Sequence, residues 1–169
     1  VFFIAVGDGP ERKDIQRKVR EFGFGDKILF PGRTNIVGSW LKKFDLFLLT
    51  SEIEGLPNVL IEAQGFGVPV LTTRAGGSED TFENYDSGVL LIKSDADKIA
   101  KQIEICLDDT IWRERAKICA KEYASEKFSI SGMINNLDLI YTTRMNEDRL
   151  EWNKEAGLKQ KILSIIGVS

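Results

Sequence analysis

Short apolar runs alternate with mixed apolar and polar stretches along the first half of the chain. The runs are rich in Val, Ile, Leu and Phe, and they lie at Phe2–Val6, Lys27–Phe30, Leu46–Thr50, Val68–Thr72 and Gly88–Ile92. Continuous apolar runs of this length are typical of strands that are buried on both faces of a sheet. The pattern therefore predicts a set of buried strands.

The stretches between these runs carry apolar residues at helical spacing, at Glu11–Phe24, Ile36–Phe44 and Pro57–Phe66. Strands and helices then alternate along the chain, which is typical of a doubly wound α/β domain with a parallel sheet. We therefore predict a Rossmann-like α/β fold that is completed by helices.

Beyond Ile92 the apolar positions keep a helical period to the end of the chain. The predicted helices run from Ser94-Asp95-Ala96-Asp97 to Leu107, over Ile111–Ser125, over Ser129–Met145 and over Leu150–Ile166. This divides the chain into an α/β domain at 1–145 and a C-terminal helical extension at 146–169. One face of the last helix holds Leu158, Ile162, Ile165 and Ile166. We expect that face to dock on the rest of the protein, and peripheral attachment to a membrane surface is the alternative.

The composition and charge of the chain exclude several classes of function. A formal net charge of -3 and a pI near 5.2 argue against a nucleic-acid binder, which would carry a basic excess. There is no histidine, which excludes Ser-His and Cys-His nucleophilic sites and most transition-metal sites within this chain. Cys106 and Cys119 stand alone in helical segments, so we expect buried thiols rather than a disulfide.

The length of the chain and its first residues indicate how many domains it contains and whether it belongs to a longer protein. A length of 169 residues with 43% hydrophobic content suits one globular domain. No apolar stretch reaches the roughly 18 residues of a membrane span, so we predict a cytoplasmic protein, with the inner membrane surface as the alternative location. The chain begins in an apolar run without an initiator Met, and we expect it to be part of a longer protein.

Ligands of open parallel sheets bind beyond the carboxyl ends of the strands, so the loops that follow the strands are candidate sites. Gly7-Asp8-Gly9-Pro10 follows the first strand and resembles a dinucleotide fingerprint, but Arg12 stands where the third glycine would be. A tight turn capped by Asp8 or Gly9 is an equally good interpretation.

The loop Phe30-Pro31-Gly32-Arg33-Thr34-Asn35 follows the second strand, with Asn35 placed as a helix N-cap. The planar guanidinium of Arg33 suits stacking on a base or pairing with phosphate. An exposed loop arginine without a ligand is the alternative.

The loop after the third strand leads into a helix that begins near Pro57. The first amides of that helix, at Asn58, Val59 and Leu60, have no intrahelical partner, so together with the helix dipole they favour a diphosphate. The helix start is therefore a candidate anion site made of backbone.

Two carboxylates flank this helix start. Glu62 lies four residues after Asn58 on the same helical face, and Glu54 precedes the helix in the loop. Beside a diphosphate, a carboxylate is suited to accept hydrogen bonds from neutral hydroxyls, such as those of a ribose or a sugar. The alternative is that Glu54 favours the helix dipole and Glu62 is merely solvated.

Glu54 and Glu62 together reproduce the E-x7-E signature, and the chain resembles the family-4 glycosyltransferases of the GT-B fold. Matching motifs follow in order over Val1 to Tyr141: Val6-Gly7-Asp8-Gly9-Pro10, Phe30-Pro31-Gly32, Leu49-Thr50-Ser51, Glu62-Ala63-Gln64, Gly67-Val68-Pro69-Val70, Gly76-Gly77-Ser78-Glu79 and Gly88-Val89-Leu90. An ordered series of motifs is more specific than any one of them.

The resemblance implies that residues 1–145 are the C-terminal, donor-nucleotide-binding domain of such an enzyme, and that Glu54 is catalytic and contacts the donor sugar. The further implied contacts are Gly7, Gly55, Leu56, Asn58 and Val59 with the sugar and diphosphate, Glu62 with the ribose, and Arg33 and Thr34 with the base. Many relatives have glycine where this chain has Pro57, which removes one backbone donor.

The resemblance also implies retaining transfer of a hexosyl group from a UDP-sugar or GDP-sugar, without metal or cofactor, in cell-surface polysaccharide synthesis. The acceptor, a glycan or a lipid-linked glycan, would be held by an N-terminal domain that these residues do not include. The family's paired Arg and Lys precede the position of Val1. We therefore expect donor binding but no transferase activity from this chain alone.

Three other functions have some support in the sequence: a metal-dependent transferase, a dehydrogenase and a non-catalytic binding module. Asp95-Ala96-Asp97 spells the D-x-D of metal-dependent transferases, but Ser94 and Asp97 have capping-box spacing, and Asp108-Asp109 is placed to end one helix and cap the next. A dehydrogenase would need the missing third glycine and an acidic residue after the second strand. A non-catalytic nucleotide- or sugar-binding module on the same fold stays open.

Overall fold

The computed structural model describes residues 1–92 and 95–165, with side chains at 150–153, 155–156 and 158–165 excepted. The chain falls into two compact units, of which the first is Val1–Asp45 and the second begins at Leu46.

The first unit contains one parallel strand pair. Its elements are β1 (Phe3–Val6), α1 (Arg12–Glu21), a short 3-10 turn (Gly25–Lys27), β2 (Ile28–Gly32) and α2 (Val37–Leu41). Strands β1 and β2 pair in parallel, with Phe3 opposite Ile28.

The second unit contains a sheet in the order β3-β4-β5, and all its pairings are parallel. Its elements are β3 (Phe47–Leu49), α3 (Asn58–Gly65), β4 (Val70–Thr73), a 3-10 segment (Gly76–Thr81), β5 (Gly88–Leu91), α4 (Ala96–Asp108), α5 (Thr110–Lys127) and α6 (Ile130–Ile165). The predicted α/β class with parallel strands is confirmed. The strands form two hydrogen-bonded sheets, where the apolar runs alone predicted one.

The core of the second unit lies between its sheet and its helices. Leu71, Val89 and Cys106 form a buried cluster that joins β4, β5 and α4. Helix α5 packs against α3 and buries Ala116 and Ala120 completely, since alanine lets two helix backbones approach closely. Cys106 is buried, as expected, and burial raises the pKa of its thiol. Cys119 is only half-buried, so the expectation of a buried thiol is wrong there.

Helices α4 and α5 begin at side-chain caps. The Asp95 carboxylate accepts a hydrogen bond from the Lys98 amide at 2.8 Å, and this bond is the main reason that the pKa of Asp95 lies below its ordinary value. The cap of α4 is therefore Asp95, and Ser94 of the predicted capping box lies outside the described residues. The prediction for Asp109 is confirmed, because its carboxylate accepts from the Trp112 amide at 2.8 Å.

The two last predicted helices are one. Helix α6 runs without interruption from Ile130 to Ile165, so the predicted break after Met145 is wrong. Arg144 forms ion pairs with Glu147 at 3.6 Å and Asp148 at 3.5 Å across the expected break, and such i,i+3 and i,i+4 pairs favour continued helix.

The predicted apolar face at Leu158, Ile162, Ile165 and Ile166 lies outside the described side chains, so docking of that face stays a prediction. The division of the chain at 145 and 146 also stays a prediction. Among the described residues, no helix is long and apolar enough to cross a membrane.

Candidate functional site

Two glycines shape the strand ends of the first unit. Gly7 follows β1 with a φ of 124°, and Gly32 ends β2 with a φ of 82°, a conformation that residues with a Cβ rarely adopt. The Gly7 amide donates to the Gly32 carbonyl at 2.9 Å. Gly7 thus joins the carboxyl ends of β1 and β2. Its predicted contact with a ligand stays a prediction.

Arg12 fills the place of the third fingerprint glycine with a structural contact. Its Nη2 donates to the Phe30 carbonyl at 3.0 Å, and its Nη1 lies 3.4 Å from a carboxylate oxygen of Asp8. A Cβ added at Gly32 would lie 2.9 Å from Arg12 Nη1. The arginine therefore connects α1 to the end of β2.

The loop after β2 does not cap helix α2 in the predicted way. The Thr34 hydroxyl accepts a hydrogen bond from the Ile36 amide at 3.1 Å, and Ile36 precedes α2 without a side-chain cap. The prediction that Asn35 caps this helix is wrong, because the hydroxyl of Thr34 closes the turn one residue earlier. The side chain of Arg33 is exposed.

The start of α3 leaves two amides open. Pro57 is buried and precedes the helix with φ -73° and ψ 96°, and its side chain offers no hydrogen-bond acceptor. Within the described part of the chain, the amides of Asn58 and Val59 have no hydrogen-bond acceptor. The expectation that Leu60 is also open is wrong, because its amide donates to the Pro57 carbonyl at 3.0 Å in a tight first turn.

The loop before α3 lies against the 3-10 segment. Gly77 donates its amide hydrogen to the Gly55 carbonyl at 2.8 Å. Glu54 is half-buried, while Gly55 and Leu56 are exposed. The backbone of the loop is therefore fixed on its carbonyl side.

Glu62 is an exposed residue of α3. The predicted site residues from Glu54 to Glu62 thus belong to one continuous loop and helix of the second unit. Gly7, Arg33 and Thr34 belong to the first unit. Among the described residues, no three His, Cys, Asp or Glu side chains are grouped as metal ligands.

Buried polar side chains hold α3 in place, and sequence reasoning assigned them no role. The Gln64 side chain is fully buried. It donates to the carbonyls of Leu60 at 3.1 Å and Thr81 at 2.6 Å, and it accepts from the Ser87 hydroxyl at 3.0 Å. The available signal was a glutamine on the otherwise apolar buried face of α3, where it needs partners.

The arrangement suits an anion better than a cation. Unpaired amides at a helix start carry partial positive charge, and the helix dipole adds to it. The glutamates near them are acceptors for hydroxyl groups. A ligand with a phosphate group and several hydroxyls matches both features.

Most of the chain matches a known protein family. Residues 1–123 match the family described as "Glycosyl transferases group 1". The chain belongs to the group 1 glycosyltransferases.

Individual relatives are longer than this chain. It is 39% identical over 137 residues to a Vi polysaccharide biosynthesis protein of Salmonella typhi, which covers 78% of this chain and 23% of the relative. It is 33% identical over 147 residues to N-acetyl-alpha-D-glucosaminyl L-malate synthase of Bacillus anthracis, which covers 86% of this chain and 38% of the relative. The chain therefore spans only part of the length of these group 1 relatives.

A solved structure supports the fold. The Anabaena protein HepE in complex with UDP superposes with a TM-score of 0.77 at 24% identity, over 85% of this chain and 41% of that one. The predicted Rossmann-like fold of the GT-B type is confirmed by this likeness.

Proposed function

We propose that this group 1 glycosyltransferase chain binds the diphosphate of a nucleotide-sugar donor at the start of α3, for retaining transfer of a hexosyl group. The observation that carries the proposal is the open helix start. The amides of Asn58 and Val59 are unpaired among the residues that the structure describes, and Pro57 supplies no competing cap. A diphosphate satisfies such amides and the helix dipole.

The two glutamates give the remaining contacts of the proposed site. Glu62 is exposed on α3 and accepts hydrogen bonds from the vicinal hydroxyls of the ribose. Glu54, in the E-x7-E pair, accepts from the donor sugar and is the proposed catalytic residue. Arg33 and Thr34 are the proposed contacts with the base, and Gly7 is a proposed backbone contact.

Solved relatives support a uridine donor. HepE has been solved in complex with UDP and with UDP-glucose. We therefore place a UDP-sugar ahead of a GDP-sugar as donor. The similarity to a Vi polysaccharide biosynthesis protein supports a role in polysaccharide synthesis, and we propose cell-surface polysaccharide with a glycan or lipid-linked acceptor.

In the proposed reaction the acceptor oxygen attacks the anomeric carbon on the face from which the diphosphate leaves. The bond from that carbon to the phosphate oxygen breaks, and the acceptor proton passes to the departing diphosphate. The helix amides stabilise the charge that develops on the leaving group, so the proposed step uses no metal or cofactor. The acceptor is held by other parts of the full-length enzyme, and this chain alone binds donor without turning it over.

The test is calorimetric titration of the chain with UDP and with GDP, and of the variants Glu62→Ala and Glu104→Ala. Glu104 is an exposed glutamate on α4, which makes its variant a matched control. We expect UDP to bind more tightly than GDP, and Glu62→Ala to weaken UDP binding about tenfold or more, because charged hydrogen bonds are lost. We expect the control to bind as the unchanged chain does.

Equal UDP affinity in Glu62→Ala and Glu104→Ala would contradict the ribose contact and favour a non-catalytic module on the same fold. Release of glucose from UDP-glucose by the isolated chain would contradict the expected lack of turnover.

A further inference from the structure

The 3-10 segment after β4 meets the loop before α3 backbone against backbone. A Cβ at Gly76 would overlap the Glu54 carbonyl oxygen, and one at Gly77 would lie 2.5 Å from the Gly55 carbonyl oxygen. Distances of this size are below any van der Waals contact, so side chains are excluded at both positions unless the loop moves.

This contact sets the direction of the amides on the other side of the loop. In a planar trans peptide the carbonyl and the N–H point in opposite directions. Because the Glu54 carbonyl faces Gly76 and the Gly55 carbonyl accepts from Gly77, the amides of Gly55 and Leu56 point away from the 3-10 segment. Neither amide has a hydrogen-bond acceptor within the described residues.

The other end of the loop is held by a buried threonine. The Thr73 hydroxyl donates to the Ser51 carbonyl at 2.9 Å, and Thr73 is 7% exposed. The backbone around it is fixed in turn by Ser78, whose hydroxyl donates to the Thr73 carbonyl at 3.1 Å and accepts from the Ala75 amide at 3.0 Å. Loop 51–55 is therefore attached at one end to β4 and at the other to the 3-10 segment.

We propose that Thr73, Gly76 and Gly77, here named the clasp, are positioning residues that aim the amides of Gly55 and Leu56 at the donor diphosphate. Those two amides join the open amides at the start of α3 in one cradle of backbone donors. This inference rests on the proposed function, and it assigns a role in donor binding to residues that touch no ligand themselves.

The first test is Gly77→Ala against Gly65→Ala. Gly77 has a φ of -82°, so alanine suits its backbone and the variant acts only through the added methyl group. Gly65, in α3, has no atom within 4 Å of an added Cβ and is the matched control. The dissociation constants of UDP and of uridine are measured by NMR titration, with the melting temperature of each variant.

We expect Gly77→Ala to weaken UDP binding about tenfold while uridine binding stays as in the unchanged chain, because only UDP uses the amides of the loop. The Gly65→Ala control is expected to bind both as before. Equal UDP affinity in the two variants overturns the proposal. An equal weakening of UDP and uridine also overturns it, since a general distortion of the fold would do the same.

A second pair covers the case in which Gly77→Ala fails to fold. Thr73→Val removes the hydroxyl that holds Ser51 at nearly constant volume, and Thr73→Ser keeps it. Weaker UDP binding in the valine variant, with recovery in the serine variant, supports the clasp. Equal UDP binding in both overturns it.

The two levels of the proposal fail in different ways. Absence of UDP and GDP binding by the unchanged chain overturns the proposed function and the clasp with it. UDP binding that is weakened by Glu62→Ala but not by the clasp variants overturns the clasp alone.

Discussion

The helices of the described chain start in two different ways. Those that follow β1, β2 and β3 have no side-chain cap, and the residues before them are Glu11, Ile36 and Pro57. The later three helices begin at residues whose side chains accept a backbone amide, namely Asp95, Asp109 and Ser129. The division falls between the helices that follow the first three strands, at whose carboxyl ends ligands bind in this class of fold, and the helices that come after the last strand, β5.

The first backbone amides of a helix therefore have two uses: they bind a capping side chain, or they remain available to a ligand. A capping side chain satisfies the first amides of a helix and adds stability to it. Without a cap, these amides stay open to a ligand, and the helix must be fixed by tertiary contacts. For α3 those contacts are the buried hydrogen bonds of the Gln64 side chain and the packing of the helix against α5.

Loss of the Gln64 amide should have the largest effect. Gln64→Leu keeps the volume but removes the donor to the buried Thr81 carbonyl and the acceptor of the Ser87 hydroxyl, which keeps only its contacts with the Glu83 backbone among the described residues. We expect this to lower the free energy of unfolding by roughly 3 kcal/mol. Urea denaturation measures it. Gln102→Leu is the control, because Gln102 is half-buried and, within the described residues, its side chain makes a single hydrogen bond, to the Cys106 sulfur at 3.6 Å. Similar losses in both variants would show that Gln64 does not replace a cap.

A charged cap at α3 should convert the open helix start into a closed one. Pro57→Asp places a carboxylate at the amides proposed for the diphosphate, and Pro57→Asn places a neutral acceptor of the same shape there. We expect UDP to bind the aspartate variant about tenfold more weakly than the asparagine variant, because like charges repel. Equal affinities in a titration would contradict a diphosphate at this helix start.

Removal of a structural cap should have a smaller effect that no ligand modifies. Asp109→Ala takes the acceptor from the Trp112 amide, and we expect a loss of about 1 kcal/mol in the free energy of unfolding. Asp109→Asn should be close to neutral because asparagine caps equally well. Thermal denaturation with and without UDP checks both points, and a change in UDP affinity in Asp109→Ala would contradict a purely structural role.

The smallest effect is the pH dependence of the α4 cap. The pKa of Asp95 is lowered in the folded chain, first by the Lys98 amide, so near pH 3.8 the unfolded state binds more protons at this site. Its stabilising contribution is therefore complete above the ordinary pKa and is lost as pH falls through the lowered one. We expect the stability difference between the unchanged chain and Asp95→Asn to shrink below pH 4, as urea denaturation at several pH values would measure. A difference that is constant with pH would contradict the cap.

Local rules predicted much of this structure. The apolar runs gave strands within two residues of those observed. Strand β4 is buried along its whole length, as expected, but most of β1 is exposed and β3 is half-buried, so the prediction of burial on both faces is wrong for those two strands. Asp109 could be recognised as a cap since it directly precedes an amphipathic helix. The sequence also marked the segment from Glu54 to Glu62 as the candidate site, and its ligand contacts stay predictions.

The remaining features depend on contacts between distant residues. Nothing local decides whether Thr34 or Asn35 closes the turn before α2, since either side chain can accept from the amide two residues further on. The contact of Gly77 with Gly55 joins residues 22 positions apart, and it exists only once β3 and β4 are paired. The role of Gln64 likewise requires Thr81 and Ser87 to be brought to it.

The fixed loop before α3 has a consequence for the kinetics of binding. Proline has a restricted φ, and the clasp holds the loop on its carbonyl side, so little conformational entropy remains to be lost when a ligand arrives. A preformed site of this kind is expected to associate with similar rate constants for different nucleotide-sugars. Discrimination between donors would then lie in how quickly each one leaves.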